Sequence, residues 1–255
     1  MSRTRALSAN VAIGLLLMIF AVPGVRAQGS PPMVTDDPDT PGPGHWEINL
    51  GYSTERRPGT KNWLAPLLDI NYGVGERLQL KYEVPYLRET ADGSPDESGF
   101  GNSEVGLKWR FLDSGDNGLS VSVYPQLEFN NPGSSADDRG LVEHGAAFLL
   151  PFQFEKEAGQ YTVTWQLGRE FRSAGDSWFY GVSAGRHVRE RVEVGVELAG
   201  EANSDFGRSN VVANIGLVVD LGERSSIMFS AGSELQNHDE ARATVVGYLG
   251  VQWRL

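Results

Sequence analysis

From His45 to Leu255 the sequence alternates apolar and polar residues with a period of two, in about twelve separate stretches. Successive side chains of an extended strand point to opposite faces, so each stretch presents one apolar and one polar face. The final stretch shows the pattern plainly. Val245, Leu249, Val251, Trp253 and Leu255 fall on one face, and Val246, Tyr248, Gly250, Gln252 and Arg254 on the other. A strand at the end of such a series keeps an unpaired edge unless another strand covers it. Antiparallel pairing with the first stretch, near Trp46, would close the series into a barrel with its apolar faces outward.

The stretches fall at residues 45–54, 64–73, 78–87, 104–112, 119–129, 142–155, 160–170, 178–187, 192–200, 211–220, 226–235 and 243–255. Between them, connections alternate in length. Residues 73–77, 113–118, 156–159, 188–191 and 221–225 read as short turns, whereas 55–63, 88–103, 130–141, 171–177, 201–209 and 236–242 are mostly longer and polar. Short turns on one side and longer loops on the other are the signature of a transmembrane barrel, and an even strand number leaves both ends on the short-turn side. The expected fold is therefore all-β: a closed antiparallel transmembrane β-barrel of about twelve strands, with short periplasmic turns and longer extracellular loops. A soluble β-sandwich would also alternate. Against it stand the aromatic residues near strand ends on the apolar face (Trp46, Tyr52, Tyr72, Tyr86, Trp109, Trp178, Tyr180, Trp253) and a polar face rich in Gly and Ser, as suits a wet lumen.

Two segments precede the barrel, which is expected over 45–255. Residues 1–27 carry a basic start at Arg3 and Arg5, an apolar run from Val11 to Val22, and Val25-Arg26-Ala27 as a small-x-small cleavage site. That is a secretory signal peptide, with an apolar run too short for a membrane helix. Residues 28–44 are rich in Pro, Gly and Asp and suit neither helix nor ladder strand. They form either a periplasmic leader or a partial plug in the barrel mouth. The chain has no Cys, so neither a disulfide framework nor a lipid anchor is expected.

Past residue 27, 19 basic residues face 33 acidic ones, a balance that argues against nucleic acid as a partner. The polar face carries the charges: Glu47, Asp69, Lys81, Glu83, Lys108, Arg110, Glu128, Glu143, Glu170, Glu193, Glu197, Glu234 and Arg254, with Glu104 and Glu155 among them. All are expected to line the lumen. One reading is a structural network of ion pairs filling a narrow barrel. The other is a path whose excess acid favours cations or neutral polar solutes over anions.

Catalysis has weaker support. His187 shares a face with Ser183, and His238 neighbours Asp239 and Glu240, but no nucleophile motif surrounds either. His144 sits on the apolar face of its stretch, near a membrane interface. Asp113–Gly118 lacks the spacing of a calcium loop and reads as a tight turn. No catalytic residue, metal or cofactor is expected.

Two motifs carry a resemblance. Pro32-Met-Val-Thr-Asp-Asp-Pro-Asp-Thr-Pro-Gly-Pro-Gly-His-Trp-Glu-Ile48 and Gly99-Phe-Gly-Asn-Ser-Glu-Val-Gly-Leu-Lys-Trp-Arg110 resemble a family of bacterial outer-membrane proteins labelled for a meta-cleavage pathway of phenol degradation, or as transporters. The resemblance implies an outer-membrane barrel of Gram-negative bacteria that passes small, aromatic or hydrophobic compounds. It also implies lipid and lipopolysaccharide, the barrel-assembly machinery and a small-molecule solute as partners. A barrel enzyme acting on lipid and a structural barrel with a filled lumen are the alternatives.

Overall fold

The computed structural model describes residues 32–113, 115, 118–238 and 241–255. Residues 1–27, expected to be a signal peptide, residues 28–31, most of the turn after Asp113, and Asp239 and Glu240 lie outside the described residues. Among the described residues there are strands and no helices: β1 (Trp46–Arg57), β2 (Thr60–Val74), β3 (Leu78–Ala91), β4 (Glu97–Phe100), β5 (Ser103–Asp113), β6 (Leu119–Val123), β7 (Gln126–Phe129), β8 (Ala147–Ala158), β9 (Tyr161–Arg172), β10 (Ser177–Arg189), β11 (Val192–Asn203), β12 (Ser209–Asp220), β13 (Ser225–Asn237) and β14 (Val245–Arg254).

These segments make twelve staves. β4 and β5 both pair with β3, and β6 and β7 both pair with β5 and β8, so each of these pairs is one stave with a break. The second break falls at Tyr124-Pro125, where proline has no N–H to give the ladder. The seam closes antiparallel between β1 and β14, with Leu50 opposite Val251 and Gly51 opposite Gly250. Trp46 and Leu255 exchange backbone hydrogen bonds of 2.8 Å at its foot.

The faces are inside out relative to a soluble protein. Leu80, Leu107, Val196, Ile215 and Leu249 are exposed, whereas Asn49, Asp69, Lys108, Gln153, Glu197 and Gln252 are buried. Apolar side chains on the outer wall can only be stable against lipid. Aromatic residues mark both rims of this wall. Trp46 packs on Tyr72 at 4.5 Å and Phe154 on Trp165 at 5.5 Å near the short-turn end, and Phe148 packs on Phe171 at 6.1 Å near the long-loop end. β9 carries Tyr161 at one rim and Phe171 at the other, about 25 Å apart for a strand tilted ~40°.

Two details differ from the sequence expectation. First, several strands run on into the polar segments taken as loops. β1 and β2 turn on Pro58-Gly59 alone, with Gly59 in the left-handed region at φ +83. Beyond the membrane a hairpin needs only its ladder, not an apolar face, so alternation fades while pairing continues, with Glu55 opposite Asn62 and Arg56 opposite Lys61. Second, the stave expected from residue 142 begins at Ala147. Residues 143–146 are held by the Asn130 side chain, whose Nδ2 donates to the Glu143 carbonyl at 2.8 Å and whose Oδ1 accepts from the Gly145 amide at 2.6 Å. Glu143 and His144 therefore belong to the loop. His144 is not on the apolar wall: it reaches Asp137 at 2.9 Å, and its hydrogen bond holds the Asp137 carboxyl below the usual carboxylate range.

Candidate functional site: the lumen

Residues 32–44 lie inside the barrel. The segment runs inward from the foot of the seam, where the Gly44 amide donates to the Gly73 carbonyl at 2.9 Å. Asp39 then meets Arg110 at 2.6 Å, and Lys108 reaches the Asp37 carbonyl at 2.7 Å and the Asp36 carboxylate at 3.1 Å. Farther in, Gln153 donates to Asp36 at 2.7 Å, and Gln166 donates to the Val34 carbonyl at 3.1 Å. Glu197 accepts the backbone amides of Val34, at 3.1 Å, and Thr35. Lys108 lies on β5 and Glu197 on β11, so the segment forms a strap across the lumen at about mid-height. A segment without regular structure must satisfy its backbone polar groups from side chains, and here the barrel wall supplies them.

The wall is also shaped for the strap. Gly181, Gly195 and Gly216 face it from β10, β11 and β12. A Cβ at Gly216 would lie 2.5 Å from Met33 Cε, and one at Gly181 would lie 3.2 Å from Thr35 Cβ. Thr35, Asp37 and Pro38 are buried almost completely.

On the long-loop side of the strap is a cavity of about 640 Å³. Its floor includes Asp36, Asp69, Asn71, Gln79 and Tyr124, and its upper wall Glu55, Arg57, Glu170, Glu201 and Glu234. Leu149, Phe179 and Val212 give it apolar surface. Seven carboxylates (Asp36, Glu55, Asp69, Glu83, Glu170, Glu201, Glu234) and two cationic side chains (Arg57, Lys81) line it.

The charged residues named from the sequence separate into four groups. Asp69, Lys81, Glu83, Glu170 and Glu234 line the cavity. Lys81 bridges Glu83 at 2.9 Å and Glu104 at 2.8 Å, and Glu234 holds Arg57 at 2.6 Å. Lys108, Arg110 and Glu197 hold the strap. Glu47, Glu193 and Arg254 sit toward the short-turn end: Glu47 stands opposite Arg254, Arg254 reaches Asp220 at 3.6 Å, and Glu193 lies 3.9 Å from His187. Glu128 pairs with Arg172 at 2.8 Å near the upper rim. Arg172 also binds Glu170 at 2.6 Å and, from above, Glu143 at 2.9 Å, so Glu143 caps the rim from its loop rather than lining the wall.

The uncharged amides carry more of the site than their sequence signal suggests. Asn49 and Asn71 each donate to Asp69 Oδ2 at 3.0 Å, and Gln79 links Asn71 at 2.7 Å to the Tyr124 hydroxyl at 3.3 Å. Their inward parity was readable from alternation. Their role was not, because each hydrogen bond depends on cross-strand register. Among the described residues no group of three His, Asp or Glu side chains is arranged to hold a metal ion.

Similar folds are known. An outer-membrane channel from Pseudomonas putida F1 is 14% identical, with a TM-score of 0.67 over 89% of this chain and 99% of that one. The NanC porin is 7% identical, with a TM-score of 0.58 over 82% of this chain and 100% of that one. The KdgM porin in complex with disordered oligogalacturonate is 12% identical, with a TM-score of 0.55 over 81% of this chain and 98% of that one. No curated protein matches the sequence. At these identities the likeness is one of fold, the outer-membrane β-barrel. A family pattern matches residues 29–255, which takes in both the strap and every stave, and the chain belongs to that family, described as "Putative MetA-pathway of phenol degradation".

Proposed function

We propose that the protein is an outer-membrane channel for passive entry of small molecules, with residues 32–44 as a plug across its lumen. The observation that carries this reading is the 640 Å³ cavity inside a closed barrel, floored by a strap whose described contacts with the wall are hydrogen bonds, ion pairs and packing. Such a strap can shift without unfolding a stave. The cavity has both charged and apolar walls, which suits compact solutes with a polar end and a hydrocarbon body. Small aromatic compounds are of that kind, in keeping with the family description. In this reading residues 1–27 direct export, the barrel-assembly machinery inserts the staves, and lipid and lipopolysaccharide surround the outer wall.

Planar-bilayer recording with the purified protein tests it. Discrete conductance steps, with uptake of small solutes into liposomes, are expected. Absence of both would remove the channel reading.

A barrel enzyme acting on lipid is the rival. Ser209 Oγ lies 3.4 Å from His238 Nδ1, but that nitrogen already accepts the Ser209 backbone amide at 3.1 Å. An accepting lone pair committed to an amide is not free to take a serine proton. Lipid hydrolysis lost in His238→Ala or His187→Ala would favour the enzyme.

A further inference from the structure

Four carboxylates stand directly opposite one another across the wall. Asp69 on β2 faces Glu83 on β3, Glu83 faces Glu104 on β5, and Glu104 faces Glu128 on β7. Like charges at directly opposed positions destabilise a sheet, so this row requires positive charge. Lys81 provides it for Glu83 and Glu104, and Arg172 for Glu128. No ion pair within 4 Å reaches Asp69 among the described residues. Its Oδ2 accepts from two amides, while its Oδ1 has no hydrogen-bond partner, although the residue is only 7% exposed. Asn49, directly opposite Asp69 on β1, is in the same condition: it is 1% exposed and its Oδ1 has no partner. Of the two residues, only Asp69 lines the cavity. Buried acceptors are stable when a donor or a cation meets them.

We infer that this floor binds small organic ammonium ions, with the Asp69 carboxylate as both counter-ion and hydrogen-bond acceptor. An ammonium group brings a positive charge and the N–H donor that Asp69 Oδ1 lacks. The absence of a three-ligand metal arrangement among the described residues favours ammonium over a divalent ion. Leu149, Phe179 and Val212 in the same cavity receive the hydrocarbon body, which an inorganic monovalent ion would leave unused. The inference rests on the cavity being a solute chamber, but binding can be measured whether or not the protein conducts.

Calorimetric titration of the full-length protein in detergent tests it with three probes of one shape: benzylammonium, benzyl alcohol and benzoate. Benzylammonium is expected to bind, the neutral isostere about tenfold or more weakly, and benzoate not at all. Asp69→Asn should weaken benzylammonium about 10- to 100-fold and leave benzyl alcohol unchanged. Heat-modifiable electrophoretic mobility reports whether the variant is folded, and if it is not, the probe selectivity of the wild-type protein decides alone. Equal binding of the alcohol, preference for benzoate, no binding of benzylammonium, or undiminished binding to folded Asp69→Asn each overturns the assignment. Binding without conductance would instead remove only the channel reading.

Discussion

Deleting residues 32–43 is expected to raise single-channel conductance several-fold while leaving the barrel folded. The strap crosses the lumen at mid-height, where Lys108, Gln153, Gln166 and Glu197 hold it from different parts of the wall. Removing it joins the upper cavity to the short-turn end through a lumen lined there by Gly181, Gly195 and Gly216. None of the ladder bonds between staves involves the deleted residues, and Gly44 and His45 keep their bonds to Gly73 at the foot of the seam. Lys108 and Glu197 lose partners, but water entering the opened lumen solvates them, so the variant should still show the mobility of a folded barrel. Unchanged conductance in a folded deletion variant would mean that the strap does not limit passage.

The second large effect is on stability. Ile215→Lys is expected to destabilise the protein by ~2–4 kcal/mol, measured by denaturant unfolding from lipid vesicles. Ile215 lies near the middle of β12, is 66% exposed, and stands opposite Val196 on β11 and Ala231 on β13, all on the outer wall. On a soluble protein a residue this exposed would accept lysine at almost no cost. In a bilayer the ammonium must reach an interface across hydrocarbon. A loss within about 0.5 kcal/mol would show that this wall does not face lipid.

Much of this architecture was legible in the sequence because alternation survives one residue at a time. The inward parity of Glu83, Lys108 and Glu197 and the outward parity of Leu107 and Ile215 needed only counting, and the apolar face of the last stretch implied a partner near Trp46. What escaped depends on information that period two does not carry. The break at Tyr124-Pro125 leaves parity intact, so one stave looks continuous in sequence although it is two segments. The loop residues Glu143 and His144 continue an apolar-polar alternation by chance, and the Asn130 side chain overrides it. The row from Asp69 to Glu128 was invisible because register depends on bulges. Pairing shifts between Gly51 and Ser53 on β1 and between Leu64 and Leu67 on β2, and no local pattern fixes by how much. The strap was harder still. Its composition excludes a strand, but its bonds to Glu197 and Gln166 join residues more than a hundred positions apart.

The position of the strap is the claim on which the channel and its closed state both depend, and a disulfide tests it directly. The chain has no cysteine, so Thr35→Cys with Gly181→Cys gives a clean pair. A Cβ built at Gly181 lies 3.2 Å from Thr35 Cβ, just under the usual span of a disulfide, so a small shift of the strap would bring the bond to geometry. In barrels isolated from outer membranes, the double variant should cross-link under mild oxidation and each single variant should not. The cross-linked protein should conduct no more than the wild type. Failure to cross-link, with the segment before His45 open to protease in the folded barrel, would place the strap outside the lumen and contradict the account.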